Sequence, residues 1–107
     1  MTTASATSYV NGLVVRVEVQ ACAADLTDDA SRAADAAAEA LETIVLPRPI
    51  GVLREEYRAA MDGESCADCT DTFYGRMISM LESTAGIAAV EGWHNPDALV
   101  TVDVDAA

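Results

Sequence analysis

Hydrophobic and polar residues alternate most cleanly between Leu13 and Ala21. Leu13, Val15, Val17, Val19 and Ala21 share one side, while Val14, Arg16, Glu18 and Gln20 share the other. A period of two predicts a half-buried strand. Asn11-Gly12 just before it is a turn signal, with Tyr9-Val10 as a short strand ahead of that turn. From residue 27 the period becomes helical. Ala30, Ala33, Ala34, Ala37, Leu41 and Ile44 form an apolar stripe, with Asp35, Glu39 and Glu42 on the wet side. This predicts an amphipathic helix over 27–45 whose alanine stripe can approach a sheet closely. Thr27 is the expected N-cap, and Asp28 and Asp29 follow in the first turn, where the helix dipole favours negative charge.

Leu46-Pro47-Arg48-Pro49-Ile50-Gly51 stops that helix. Leu53, Tyr57, Ala60 and Met61 then predict a short helix over 52–61, ended by Asp62-Gly63-Glu64-Ser65. A third helix is expected over 71–84, capped by Thr70 or Asp71. Phe73, Met77, Met80, Leu81 and Thr84 share its apolar face, and Gly86 is its expected stop. Residues 87–93 and 98–104 read as two strands joined by Asn95-Pro96-Asp97 turn chemistry. The resulting order, β-α-α-α-β-β, predicts an α+β fold: a small three-stranded sheet with helices packed on one face, a ferredoxin-like sandwich. Residues 1–8 read as a flexible N-terminal arm, and 9–107 as a single domain.

Composition adds a strong surface signal. The 107 residues include 18 Asp or Glu against 6 Arg and no Lys, for a net charge of -12, yet 51% are hydrophobic. An acidic disordered tail would lack that apolar fraction. The chain therefore reads as a folded domain with an anionic surface. Such a surface repels nucleic acid and anionic membranes, and suits solubility in high salt, where screening is short-ranged. A salt-loving or GC-rich source is the expectation. Alanine supplies 21 residues and aromatics are few, so the core is thin and an oligomer would cover more of it. No apolar run is long enough for a membrane span, and Met1–Thr7 does not resemble a signal peptide. Three cysteines, an odd number, favour a reduced intracellular setting over a disulfide framework.

Candidate chemistry centres on Cys66-Ala67-Asp68-Cys69. Thiolates three residues apart can grip one soft metal ion, and at a helix start the same spacing suits a redox dithiol. Cys22 and His94 could complete a four-ligand zinc site with Cys66 and Cys69, if the first strand, the cysteine turn and the final hairpin met in space. The bland reading is tolerated thiols and a surface histidine. The carboxylates are scattered; Asp103 and Asp105 share a strand face and Glu55 and Glu56 are adjacent, all read as solvated. There is no phosphate-binding glycine loop and no nucleophile–histidine motif. The six arginines form no run that would mark a nucleic-acid patch. No catalytic residue is assigned, and the chain is read as a non-enzyme.

Two family resemblances add expectations. Gly63-Glu64-Ser65-Cys66-Ala67-Asp68-Cys69, a following helix and a Val-rich strand resemble a heavy-metal-associated domain, which implies Cys66 and Cys69 as ligands for copper(I) or a similar ion. That pattern wants a strand where 52–61 looks helical. The second resemblance spans 13–104: a Val-rich strand, an Ala-rich helix, Pro49-Ile50-Gly51, and a helix ending in Leu81-Glu82-Ser83-Thr84-Ala85-Gly86-Ile87-Ala88-Ala89-Val90. This order is similar to the C-terminal module of baseplate J-like proteins of tailed phages and contractile machines. It implies a virion tail or baseplate component, made in the host cytoplasm, that packs against other tail subunits as a homo- or hetero-oligomer. The segment from Leu53 to Cys69 is an insertion in that pattern. Binding is expected along the sheet edge left by 98–104.

Overall fold

A computed structural model describes residues 1–22, 24–63, 72–90 and 98–107. The chain runs β1 (Thr2–Val10), β2 (Leu13–Ala21), α1 (Thr27–Glu42), α2 (Ile50–Gly63), α3 (Phe73–Val90) and β3 (Leu99–Ala106). The strands form one antiparallel three-stranded sheet in the order β1-β2-β3. The α+β class and the three-stranded sheet are as the pattern predicts; the third strand, however, lies at the N-terminus.

Residues 2–8, expected as a flexible arm, make up most of β1. Asn11 and Gly12 both have positive φ, 52° and 76°, the backbone of a two-residue hairpin turn. That turn pairs Val10 with Leu13, and the ladder continues without a break to Thr2 opposite Ala21. Small residues hid the strand. Ala4, Ala6 and Ser8 turn inward and Thr3, Ser5 and Thr7 outward, an alternation with little hydrophobic contrast.

The expected strand over 87–93 is also corrected. Residues 87–90 are the end of α3, and 91–93 lie outside the described residues. Gly86 does not stop the helix. It has no positive φ, and the buried stripe runs on at a spacing of four through Leu81, Ala85 and Ala89. Helical burial wins over glycine's weak propensity here. α2 starts earlier than predicted, at Ile50, because the Pro49 carbonyl accepts bonds from the Val52 and Leu53 N–H groups. Arg48 reaches back to Glu56, tying the proline connector to α2.

α1 and α3 lie on one face of the sheet, and α2 packs beside α3 at the β3 margin. Val15, Val17 and Val19 of β2 are almost completely buried beneath them, while Arg16 and Glu18 face outward. α1 packs on β1 and β2, α3 on α1 and β3, and α2 on α3 and β3. The α1 contribution to the core is Ala30, Ala33, Ala34, Ala37, Ala38 and Leu41. Arg32 pairs with Asp29 on α1 and reaches the Ala88 carbonyl on α3, bridging the two helices. Among the described residues, no helix is long and apolar enough to cross a membrane.

Thr27 is the first residue of α1, not its N-cap. Asp25 supplies the bond instead: its carboxylate accepts from the Thr27 N–H at 2.9 Å and from the Thr27 hydroxyl at 2.7 Å. These two bonds favour the ionised form and hold the Asp25 pKa below its usual 3.8. A depressed carboxyl stabilises the fold above the unfolded pKa, and that stabilisation fades as pH falls through the folded value. Asp25→Ala should therefore lower the melting temperature at pH 7, and the gap to the parent should close at about pH 3 or below. Melting curves by circular dichroism across that range check it.

Candidate functional site

The densest polar constellation gathers on β3. Asp103 and Asp105 are two residues apart, so both side chains leave the same side of the strand. α2 brings Arg54 to them. One guanidinium nitrogen lies 2.9 Å from Asp105 Oδ2 and the other 3.0 Å from Asp103 Oδ1. Arg16, paired opposite Asp103 in the β2–β3 ladder, sits 3.7 Å from Asp103 Oδ2.

α3 closes the other side. Tyr74 Oη accepts from the Val104 N–H at 3.2 Å and lies 2.9 Å from Asp103 Oδ1 and 3.1 Å from the Val104 carbonyl oxygen. Its one proton serves either acceptor. Glu82, two turns further along α3, accepts from the Val102 N–H at 3.0 Å. The Tyr57 ring tilts against Tyr74 with centroids 5.1 Å apart.

The electrostatics fit a lock. Burial acts to lower the Arg54 pKa, but bonds to Tyr74 and Asp103 outweigh it, so the guanidinium is held more firmly charged than usual. Burial pushes the Tyr74 phenol up, so it keeps its proton at neutral pH. The Asp103 and Asp105 oxygens accept from guanidinium and phenol.

What the constellation does is seal an edge. In an antiparallel ladder, alternate residues of an outer strand turn their backbone groups away from the sheet. On β3 these include Val102 and Val104, and Glu82 and Tyr74 take their N–H groups. The edge over 98–104, expected as a binding edge, is closed across 102–104 by α3. Asp103 and Asp105 keep 44% and 36% of their side-chain surface open, and their partner Arg54 is hidden from the sequence pattern because it meets them across 49 and 51 residues of chain. The available signal was the Asp-x-Asp spacing on an otherwise valine-rich strand.

The expected metal ligands are placed only in part. Cys22 is exposed, directly after β2; Cys66, Cys69 and His94 lie outside the described residues. Among the described residues, no group of three or more His, Cys, Asp or Glu side chains is arranged to hold a metal ion. Glu56 pairs with Arg48. A shallow depression on the outer face of the sheet is lined by Ser5, Thr7, Arg16, Glu18, Thr101 and Asp103.

No protein-family model matches the chain, and neither a curated protein nor a solved structure does.

Proposed function

We propose that this protein is a structural assembly subunit, a tail or baseplate component of a tailed virus with a salt-loving host, acting by packing against other proteins. One observation carries the packing role. The polar cluster built by Arg54, Asp103, Asp105 and Tyr74 is spent on holding the fold closed. Large apolar side chains are meanwhile turned to solvent, with Val45 87%, Ile87 71% and Leu99 56% exposed. Exposed apolar positions on an anionic domain suit contact with other proteins. The tail assignment rests on the similarity of residues 13–104 to the baseplate J-like module.

Mass spectrometry of gradient-purified virus particles from the source organism tests the reading. The chain should be present in fixed stoichiometry to the major tail proteins, and its absence from intact particles would overturn the assignment. So would stoichiometric zinc in the purified chain that is lost in a Cys66→Ser, Cys69→Ser double variant.

A further inference from the structure

The two edges of the sheet are treated in opposite ways. The β3 edge is sealed by Tyr74 and Glu82. Among the described residues, the β1 edge has no such cover. The phase of the ladder follows from the turn: Val10 pairs with Leu13 across two residues, so Val10, Ser8, Ala6 and Ala4 direct their backbone groups toward β2. The neighbouring ladder agrees, since the Gly12 carbonyl accepts from the Ala107 N–H on the β3 side. Thr3, Ser5, Thr7 and Tyr9 thus turn their N–H and C=O groups outward, and all four residues are exposed.

Natural edges are usually guarded by charge, proline, a bulge or a short strand. β1 has none of these. It is nine residues long, pairs with β2 without a bulge, and contains no proline. The first charged side chain in this chain of net charge -12 is Arg16. The longest uncharged stretch thus coincides with the open edge.

We infer that β1 pairs antiparallel with β1 of a second copy, joining two three-stranded sheets into one continuous sheet. The occupant follows from charge and symmetry. Two copies of a -12 chain repel each other, and most of that repulsion is avoided where neither contributes charge. A cationic peptide, the other natural partner of an acidic protein, would find no carboxylate on this strand. The outward row is also self-complementary about a two-fold axis at Ala6. Thr3 meets the partner's Tyr9 and Ser5 meets the partner's Thr7, so every outward residue finds a mate. On the outer face this gives hydroxyl-bearing cross-strand pairs. On the inner face it sets Ala6 beside the partner's Ala6, where small side chains let the strands close.

An acid beside the strand on the inner face tests the geometry. Asp35 of α1 lies over β1, 3.4 Å from the Ser8 hydroxyl. In this register Ser8 and the partner's Ser8 stand on opposite sides of the axis, about 14 Å apart along the strands at a rise of roughly 3.4 Å per residue. That exceeds the screening length of roughly 8 Å at physiological ionic strength. The inference gives the assembly reading a first partner, and it stands or falls without the virus particle.

Sedimentation velocity of the purified chain, from about 1 to 200 μM at low and high salt, is the experiment. A concentration-dependent species of twice 11.2 kDa is expected, and its share should grow with salt as the net charge is screened. Thr7→Pro removes one outward N–H and spares the β2 ladder, since proline is tolerated where the N–H faces solvent. It should weaken the dimer at least tenfold. Ser5→Asp with Thr7→Asp sets like charges opposite each other across the axis and should abolish it. Circular dichroism confirms the fold of each variant, and the aspartate pair decides if the proline variant does not fold. A monomer at every concentration overturns the inference, as does a dimer that survives the aspartate pair. A chain that gains a strand only with a different protein overturns the second copy as occupant.

Discussion

Leu81→Ala is expected to lower the free energy of unfolding by about 3 kcal/mol, within the 2–5 kcal/mol typical of such truncations. Leu81 is fully buried at the centre of the α3 stripe. What makes the loss large is its company. The α1 side of the same core is Ala30, Ala33, Ala34, Ala37 and Ala38, with Leu41 its one larger side chain. Alanine has no side-chain torsion with which to swing into a vacated space, so the cavity stays open, and residual cavity volume adds to the lost transfer energy. For a domain of about this size each kcal/mol shifts the melting point by roughly 4–8 °C, so a fall of about 12–24 °C is expected. Urea unfolding followed by circular dichroism should show a lower midpoint at unchanged slope. Leu81→Met, which nearly conserves volume, should cost less than about 1.5 kcal/mol. Equal effects from the two variants would show that the helices collapse onto the gap.

Tyr74→Phe should cost about 2 kcal/mol although it removes a single oxygen. That oxygen accepts the Val104 N–H and donates to Asp103 or the Val104 carbonyl. Val104 is fully buried, so its N–H would be left without a partner, a loss of roughly 1–3 kcal/mol. Amide exchange at Val104 should quicken far more than at Val15, opposite it in the ladder. The same residue gives an alkaline signature. Its phenol pKa is raised by burial above the usual 10.0, so its contribution is present below the unfolded value and is lost as pH rises through the folded one. Above about pH 10 the parent should lose stability more steeply than the phenylalanine variant, and the two curves should converge. Identical pH slopes would remove Tyr74 from the lock.

Both effects trace to how a thin core is held together. Alanine-rich α1 lets the helices sit close to the sheet, but it leaves few large side chains to fix α2 and α3 in place. The chain compensates with polar ties at the β3 margin: Arg54 from α2, Tyr74 and Glu82 from α3. The same ties protect that edge from stray pairing. Among the described residues, no helix lies beyond the opposite edge to supply such ties.

Much of this was written locally in the chain. β2 was legible because every inward residue is apolar and nearly every outward one polar. α1 was legible because its alanine stripe repeats at helical spacing, and Asn11-Gly12 marked the hairpin because few other pairs accept two positive φ angles. Contrast between faces is a local property, so these elements can be read without knowing the fold. β1 has almost no such contrast, and only its pairing with β2 makes it a strand. The last residues of α3 are helical because Ala85 and Ala89 extend a face that α1 covers, which no local preference around Gly86 reveals. The meeting of Arg54 with Asp103 and Asp105, and the difference between a sealed edge and an open one, depend on which strand ended at which margin. That is set by packing across some fifty residues of chain, where side-chain pattern alone carries no register.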